Sequence, residues 1–433
     1  MKQKPEWKIK QAFWAGGALV ALVAVALVAV LASTAPSAYA GGTIKADEDK
    51  WISIGMGIRA SFNAQENGSP DGSSYSKDFK LDNARIYING QLHKYIKFTF
   101  NTECFNCNVN GGNSDFGGNS QIGMLDAIAK FEYREAFNVW AGRTLLPTER
   151  GELNGPYYHQ TFNGFRTPFN SADFSCNFPN GTTAACGGQG NAGLYGRDNG
   201  VVFFGKFHPA GTHLLYAGMI STGLRNSANQ EANLMYSGRL QWNLLNDEDN
   251  PGYYTSGGYY GTAGNIIAPA INFFHQKDGA GSVNNRSDHT GFIFDFLGEY
   301  LVPGNAGVLT INGEFKRYWA EGNAAWTDGT SCFCTFGGNS WTVYALYLLP
   351  NQMGWGKLQP YGRFTQVAPT ASSLREEWEA GVNYVIDGYN ARVSAWWAYG
   401  DLATKGLNYA PLSAGGAAGN RVDKFAVAFQ WQY

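Results

Sequence analysis

The side chains of this 433-residue chain that could do chemistry are charged groups in two settings and six cysteines in three local pairs. The first setting is the stretch 147–197, where Arg150, Arg166 and Arg197 accompany Glu149, Glu152 and Asp173. Guanidinium forks beside carboxylates can sort ions where a passage is narrow, and a structureless loop of this length is usually functional. The second setting is a set of alternate positions in extended segments. It holds Arg59, Arg85, Lys97, Lys130, Arg239, Lys316, Arg363 and Arg392, together with Asp126, Glu132, Asp295, Glu299, Glu314, Glu377 and Glu379. Mixed signs favour the plainer reading for most of these, a solvated wall on which opposite charges pair. Basic residues would matter for anions where several meet at the narrowest point.

The cysteine pairs are Cys104/Cys107, Cys176/Cys186 and Cys332/Cys334. An even count in an exported chain suggests disulfides. Cys176–Cys186 would staple a loop. Cys332-Phe333-Cys334 would be strained if closed on itself, so cross-pairing between loops stays open. A four-thiolate metal site is disfavoured because exported thiols oxidise. Cys107 is followed by Asn108 rather than histidine, which removes a haem-attachment motif, and no other cofactor motif is present. The six histidines are scattered. His93 and His208 fall in short turns, His159 in the long stretch, and His213, His275 and His289 at strand ends. No His-Glu-x-x-His, nucleophile elbow or phosphate loop occurs, so an enzyme is not expected.

The elements that would position these groups are strands. Residues 424–433 alternate strictly: Phe425, Val427, Phe429, Trp431 and Tyr433 on one face, Lys424, Ala426, Ala428, Gln430 and Gln432 on the other. A soluble strand exposing that face would aggregate, whereas a strand between lipid and a polar lumen has this pattern. Sixteen such segments are expected near 51–63, 79–92, 94–104, 122–134, 136–146, 198–208, 212–222, 232–245, 264–276, 289–302, 307–319, 340–350, 356–366, 376–386, 388–400 and 421–433. The sixth and ninth alternate less cleanly, and Pro269 inside the ninth removes a ladder donor. Long connections (64–78, 105–121, 147–197, 277–288, 320–339, 367–375, 401–420) largely alternate with short turns, and 246–263 breaks that order as a long connection where a short one belongs. The pattern predicts an all-β fold, an antiparallel transmembrane β-barrel of about 16 strands with long outer loops and short periplasmic turns. Loop 147–197 would be its constriction, with a solvated lid as the rival.

Composition agrees. Glycine is abundant at 56 residues, aromatics reach 15% and charge only 15%. These suit tight turns and interfacial aromatic girdles better than a secreted soluble sandwich or propeller. A net charge of −2 offers nothing to nucleic acid. At the N-terminus, Lys2, Lys4, Lys8 and Lys10 precede an apolar run and Ala38-Tyr39-Ala40, the grammar of a cleaved signal peptide over 1–40. Residues 41–433 would then form a single barrel domain in the outer membrane of a Gram-negative-type bacterium. The terminal aromatic strand would be read by the barrel-insertion machinery.

The stretch 81–155 resembles the phosphate-selective porin O and P family. The matching residues are Leu81-Asp82-Asn83-Ala84-Arg85-Ile86-Tyr87-Ile88-Asn89-Gly90, Ile96-Lys97-Phe98-Thr99-Phe100, Leu125-Asp126-Ala127 and Val139-Trp140-Ala141-Gly142-Arg143, then Pro147 and Glu149. Leu358-Gln359-Pro360-Tyr361-Gly362-Arg363-Phe364 and Gly381-Val382-Asn383-Tyr384 look like that family's late strands. The resemblance implies a sixteen-stranded outer-membrane porin, commonly a homotrimer, passing small hydrophilic solutes or anions such as phosphate. Family members selective for phosphate use arginines and lysines on an infolded loop, places that Arg150 and Arg166 could occupy as candidate constriction residues. The rivals are a barrel that scaffolds a partner and an outer-membrane enzyme, neither with a conducting pore.

Overall fold

A computed structural model describes residues 42–105, 121–164, 196–224, 228–319, 337–370, 373–402, 404 and 419–433. The strands are β1 (Gly42–Lys45), β2 (Trp51–Gln65), β3 (Asp78–His93), β4 (Ile96–Phe105), β5 (Gln121–Arg134), β6 (Phe137–Leu145), β7 (Arg197–Phe207), β8 (His213–Ser221), β9 (Met235–Asn243), β10 (Ile266–Ser282), β11 (Asn285–Val302), β12 (Gly307–Trp319), β13 (Gly338–Leu348), β14 (Gln352–Met353), β15 (Gly356–Pro369), β16 (Arg375–Asp387), β17 (Ala391–Gly400) and β18 (Val422–Gln432). Sixteen of them pair antiparallel with their neighbours in sequence, β13 pairing with β15 across the two-residue β14. The ring closes where Lys424–Gln432 of β18 meet Gly57–Gln65 of β2. Each of the sixteen expected segments is a wall strand, so the chain is an antiparallel transmembrane β-barrel. Strand β1 is an addition: it pairs with Trp51–Ile54, the part of the same β2 edge that β18 leaves uncovered.

Period-2 alternation gives each strand an outward and an inward face. Along β12 the outward Leu309, Ile311, Gly313, Phe315 and Arg317 alternate with the buried Val308, Thr310, Asn312, Glu314, Lys316 and Tyr318. Outward aromatics gather toward both ends. At the end carrying the described termini, Tyr95 meets Tyr133 at 5.3 Å and Phe207 stacks on Tyr216 at 5.7 Å. At the far end Trp341, Phe364 and Trp378 form a row with centroids 4.9 and 4.3 Å apart. Such girdles suit the two interfaces of a bilayer.

The core lies inside the barrel. The inner faces of β5–β10 present Ile128, Trp140, Val202, Phe204, Leu215, Met219 and Met235, which bury against Leu146 and Leu153 from the 146–196 connection and Tyr253 from the 244–265 connection. This explains the weaker alternation of strand 197–207: in Val201-Val202-Phe203-Phe204 the inward Val202 and Phe204 are buried by the connections, while the outward Phe203 is exposed on the lipid-facing side. In β10, Ile266, Ala268 and the facing Leu297 are covered in the same way by Tyr259. Pro269 costs little, because the ladder to β9 begins at Ala270 opposite Gln241.

Two expectations need correction. Residues 277–288 are not a long loop; β10 and β11 continue through them as a hairpin, with Ser282 opposite Asn285. His275 and His289 consequently lie within strands rather than at their ends, and His289 is fully buried. The signal segment 1–40, Arg166, Asp173, Cys107, Cys176, Cys186, Cys332 and Cys334 lie outside the described residues. Cys104 is disulfide-bonded, and its partner also lies outside them.

The outward face yields the first test. Ile311 is 40% exposed near the middle of β12. Ile311→Arg should lower the unfolding free energy in lipid vesicles by ~2–4 kcal/mol, the cost of a cation at the bilayer midplane. Ile311→Leu should be close to neutral.

Candidate functional site

Residues 146–164, the described part of the 146–196 connection, enter the barrel and cross it. After β6 the chain buries Leu146, then makes a single helical turn, α1 (Arg150–Leu153). Its first backbone donors meet carboxylates of the opposite wall. Arg150 N donates to Asp295 Oδ2 at 3.1 Å and Gly151 N to Glu314 Oε2 at 3.2 Å. The chain then lies along β15–β18 and β2. Gln430 donates to Tyr157 O at 2.8 Å, Asn383 to Gln160 O at 2.8 Å and Arg392 to His159 O at 2.7 Å, while Arg59 donates to Phe162 O and Arg363 to Gly164 O. Phe162 stacks on Trp396 at 5.4 Å and lies under the Arg59 guanidinium, 4.0 Å from ring to cation. Gly57 makes room: a Cβ there would stand 2.7 Å from the Tyr157 ring.

The 244–265 connection enters from the other end, where a short turn belongs. Its backbone is held by the wall: Tyr259 N and Gly261 N donate to the two oxygens of Glu299 at 2.8 and 2.7 Å, Asn312 donates to Gly257 O at 3.2 Å and Tyr389 to Gly258 O at 2.8 Å. Inside the barrel the two connections join. Gly257 N donates to Tyr158 O at 2.8 Å, and Thr255 Oγ1 to Asn154 Oδ1 at 2.6 Å. The centre of the junction is the fork of Arg150, whose two terminal nitrogens reach Glu248 Oε2 and Oε1 at 2.7 and 2.8 Å. The same guanidinium donates to Ser256 O at 2.9 Å and lies 3.5 Å from Asp295.

The sequence-derived site residues thus fall into three groups. Arg150, Glu149 and Glu152 meet inside the barrel, but as buried structural groups. Glu149 pairs with Lys316 at 2.6 Å, and Lys316 also with Glu314 at 2.8 Å. Burial, with Glu149 close by, holds the Glu152 carboxyl well above the usual range. The two terminal nitrogens of Arg150 are engaged by the buried Glu248 carboxylate. The second group holds the loops. Arg59, Arg363 and Arg392 bind loop carbonyls, and Arg239 pairs with Asp295 at 2.6 Å while donating to Thr148 O at 2.9 Å. Beside them, His159 is buried near Arg59 and Arg392, which pushes its imidazole down to about 3 and keeps it neutral.

The third group lines two cavities inside the barrel, which touch the inner faces of β3–β7. A cavity of about 720 Å³ is lined by Arg85, Asp126, Lys130 and Arg197 among others, with Tyr87, Tyr158, Tyr254, Tyr260 and Tyr389 around them. A second, of about 570 Å³, reaches the end that carries the termini past Lys97, Glu132 and Lys206. Asn89, Thr99, Lys130 and Pro251 line both. Arg85 pairs with Glu103 at 2.5 Å, Arg197 with Asp126 at 2.9 Å and Lys97 with Glu132 at 2.6 Å.

Sequence reasoning missed the inward 244–265 connection and with it Glu248. The available signal was its aromatic content, Tyr253-Tyr254 and Tyr259-Tyr260, which is excessive for a solvated turn.

Removing one partner of a buried ion pair leaves the other charge unpaired, at a cost of about 3–5 kcal/mol. Arg150→Ala should therefore lower the thermal transition of the folded barrel, read from its heat-dependent gel mobility. Adding Glu248→Gln should restore part of the loss. An unchanged transition in the single variant would show that the junction does not hold the two connections in place.

No protein-family model matches the chain, and no curated protein does. Among solved structures, it is similar to an anion-selective porin from Comamonas acidovorans, at 13% identity and a TM-score of 0.52, covering 88% of this chain and 99% of that one. It is also similar to OprB of Pseudomonas putida in its high-pH structure, at 10% identity and a TM-score of 0.50, covering 88% and 94%. At such identities the likeness is one of fold: this chain has the barrel architecture of outer-membrane porins.

Proposed function

We propose that this protein is an outer-membrane porin, a water-filled channel for passive diffusion of small hydrophilic solutes, anions such as phosphate included. The observation that carries the reading is the pair of adjoining cavities inside the barrel, which share Asn89, Thr99, Lys130 and Pro251. The fold likeness to porins supports it. So do the signal-like residues 1–40, the aromatic closing strand and the sequence blocks resembling the phosphate-selective O and P family. In this reading the signal peptide is cleaved, the termini face the periplasm, and the protein assembles as a homotrimer. Residues 147–197 narrow the lumen from outside and 246–263 from the periplasmic side, so the size limit is set jointly.

Purified protein in a planar bilayer should give stable ohmic current steps. A closed barrel without conductance would sink the proposal and favour a scaffold or an enzyme. Replacing residues 246–263 by a short turn should raise the unitary conductance several-fold, because the part of the lumen filling that they contribute leaves with them. Unchanged conductance in a folded variant would place the limit elsewhere.

A further inference from the structure

The eight basic wall positions are not equivalent. Seven of them, namely Arg59, Arg85, Lys97, Arg239, Lys316, Arg363 and Arg392, donate to carboxylates or to loop carbonyls. Lys130 differs. Its ammonium stands 3.9 Å above the ring of Trp140, and no carboxylate lies within ion-pair distance of it among the described residues. It faces Lys97 across the β4–β5 ladder, and Glu132, the nearest acid on its own strand, is taken by Lys97 at 2.6 Å. It lines both cavities, so a solute crossing from one to the other passes it.

The larger cavity supplies a second chemistry. Tyr87, Tyr158, Tyr254, Tyr260 and Tyr389 contribute to its wall. Tyr158 is 43% exposed although it belongs to the inward connection, so its ring is offered to the cavity. Aromatic faces attract flat rings through offset or edge contacts, each about 0.5–1.5 kcal/mol beyond area burial. An ammonium in a confined site whose neighbouring carboxylates, Glu132 and Asp126, are paired to Lys97 and Arg197 attracts anions. An inorganic anion would use only the ammonium, and a neutral ring only the tyrosines.

We propose that Lys130 and the tyrosine-walled cavity form a binding station for small carboxylates that carry a flat ring, so that the passage favours ring carboxylates over inorganic anions of equal charge. The proposal rests on the porin reading and adds a solute class and a specificity-determining residue to it.

The test uses the full-length protein in a planar bilayer, with benzoate, acetate, inorganic phosphate and neutral benzyl alcohol added at equal concentration. Benzoate should interrupt the current with dwell times at least about tenfold longer than those of the other three. Lys130→Gln should remove that difference, and Tyr158→Ala should shorten the benzoate dwell several-fold, both with unitary current steps retained. Phosphate or acetate matching benzoate would overturn the role of the rings. Benzyl alcohol matching benzoate, or Lys130→Gln leaving the dwell unchanged, would overturn the role of the ammonium. These outcomes are distinct from an absence of current steps, which overturns the porin reading itself.

Discussion

The bidentate contact between Arg150 and Glu248 is the interaction on which the interior depends. Each residue belongs to a connection that enters the barrel from a different end, and among the described residues neither connection has regular structure beyond one helical turn. Irregular backbone at membrane depth must satisfy its polar groups within the protein. The wall does this with side chains aimed at main-chain atoms, from Asp295 and Glu314 on one side to Asn383, Arg392 and Gln430 on the other. The inward charges therefore act mainly as hydrogen-bonding partners for two strands of loop.

Apolar contacts fix where the connections lie, and polar contacts fix their register. Leu146, Leu153 and Tyr253 bury against Val202, Phe204 and Met235, and a fully buried leucine contributes about 1.5–3 kcal/mol. Phe162 does the same against Trp396 on the far wall. The two cavities touch β3–β7, and the larger also reaches the β13–β15 and β16–β17 turns.

The wall was legible because alternation is a local property. Strands such as 51–65 and 307–319 needed only lipid on one side and a polar interior on the other, and their bounds fell close to those read from the residues. The interior was not legible, for three physical reasons. A charge at an alternate position shows which face it takes, not whether water, a carboxylate or a loop carbonyl meets it, so Arg59, Lys130 and Arg150 read alike. The 246–263 stretch opens with Asn246-Asp247-Glu248-Asp249-Asn250-Pro251-Gly252, the composition of a solvated turn, and its burial depends on Glu299 and Asn312, both distant in sequence. The β10–β11 hairpin runs past the apolar band into Lys277-Asp278-Gly279-Ala280-Gly281, where polarity marks the edge of the lipid rather than the end of the strand.

The seam between first and last strands has its own consequence. One edge of β2 serves two partners: β18 from Gln65 down to Gly57, and β1 from Ile54 to Trp51, with Tyr433 and Met56 exchanging backbone hydrogen bonds between them. Without β1 the barrel would end in an uncovered ledge of β2 backbone beside Ile52 and Ile54, a template on which another chain could add a strand. Folding Gly42–Lys45 onto that ledge moves the open edge out to a four-residue strand. So short an edge is a poor nucleus for sheet extension, and the residues just before the barrel act as a hem on its closure.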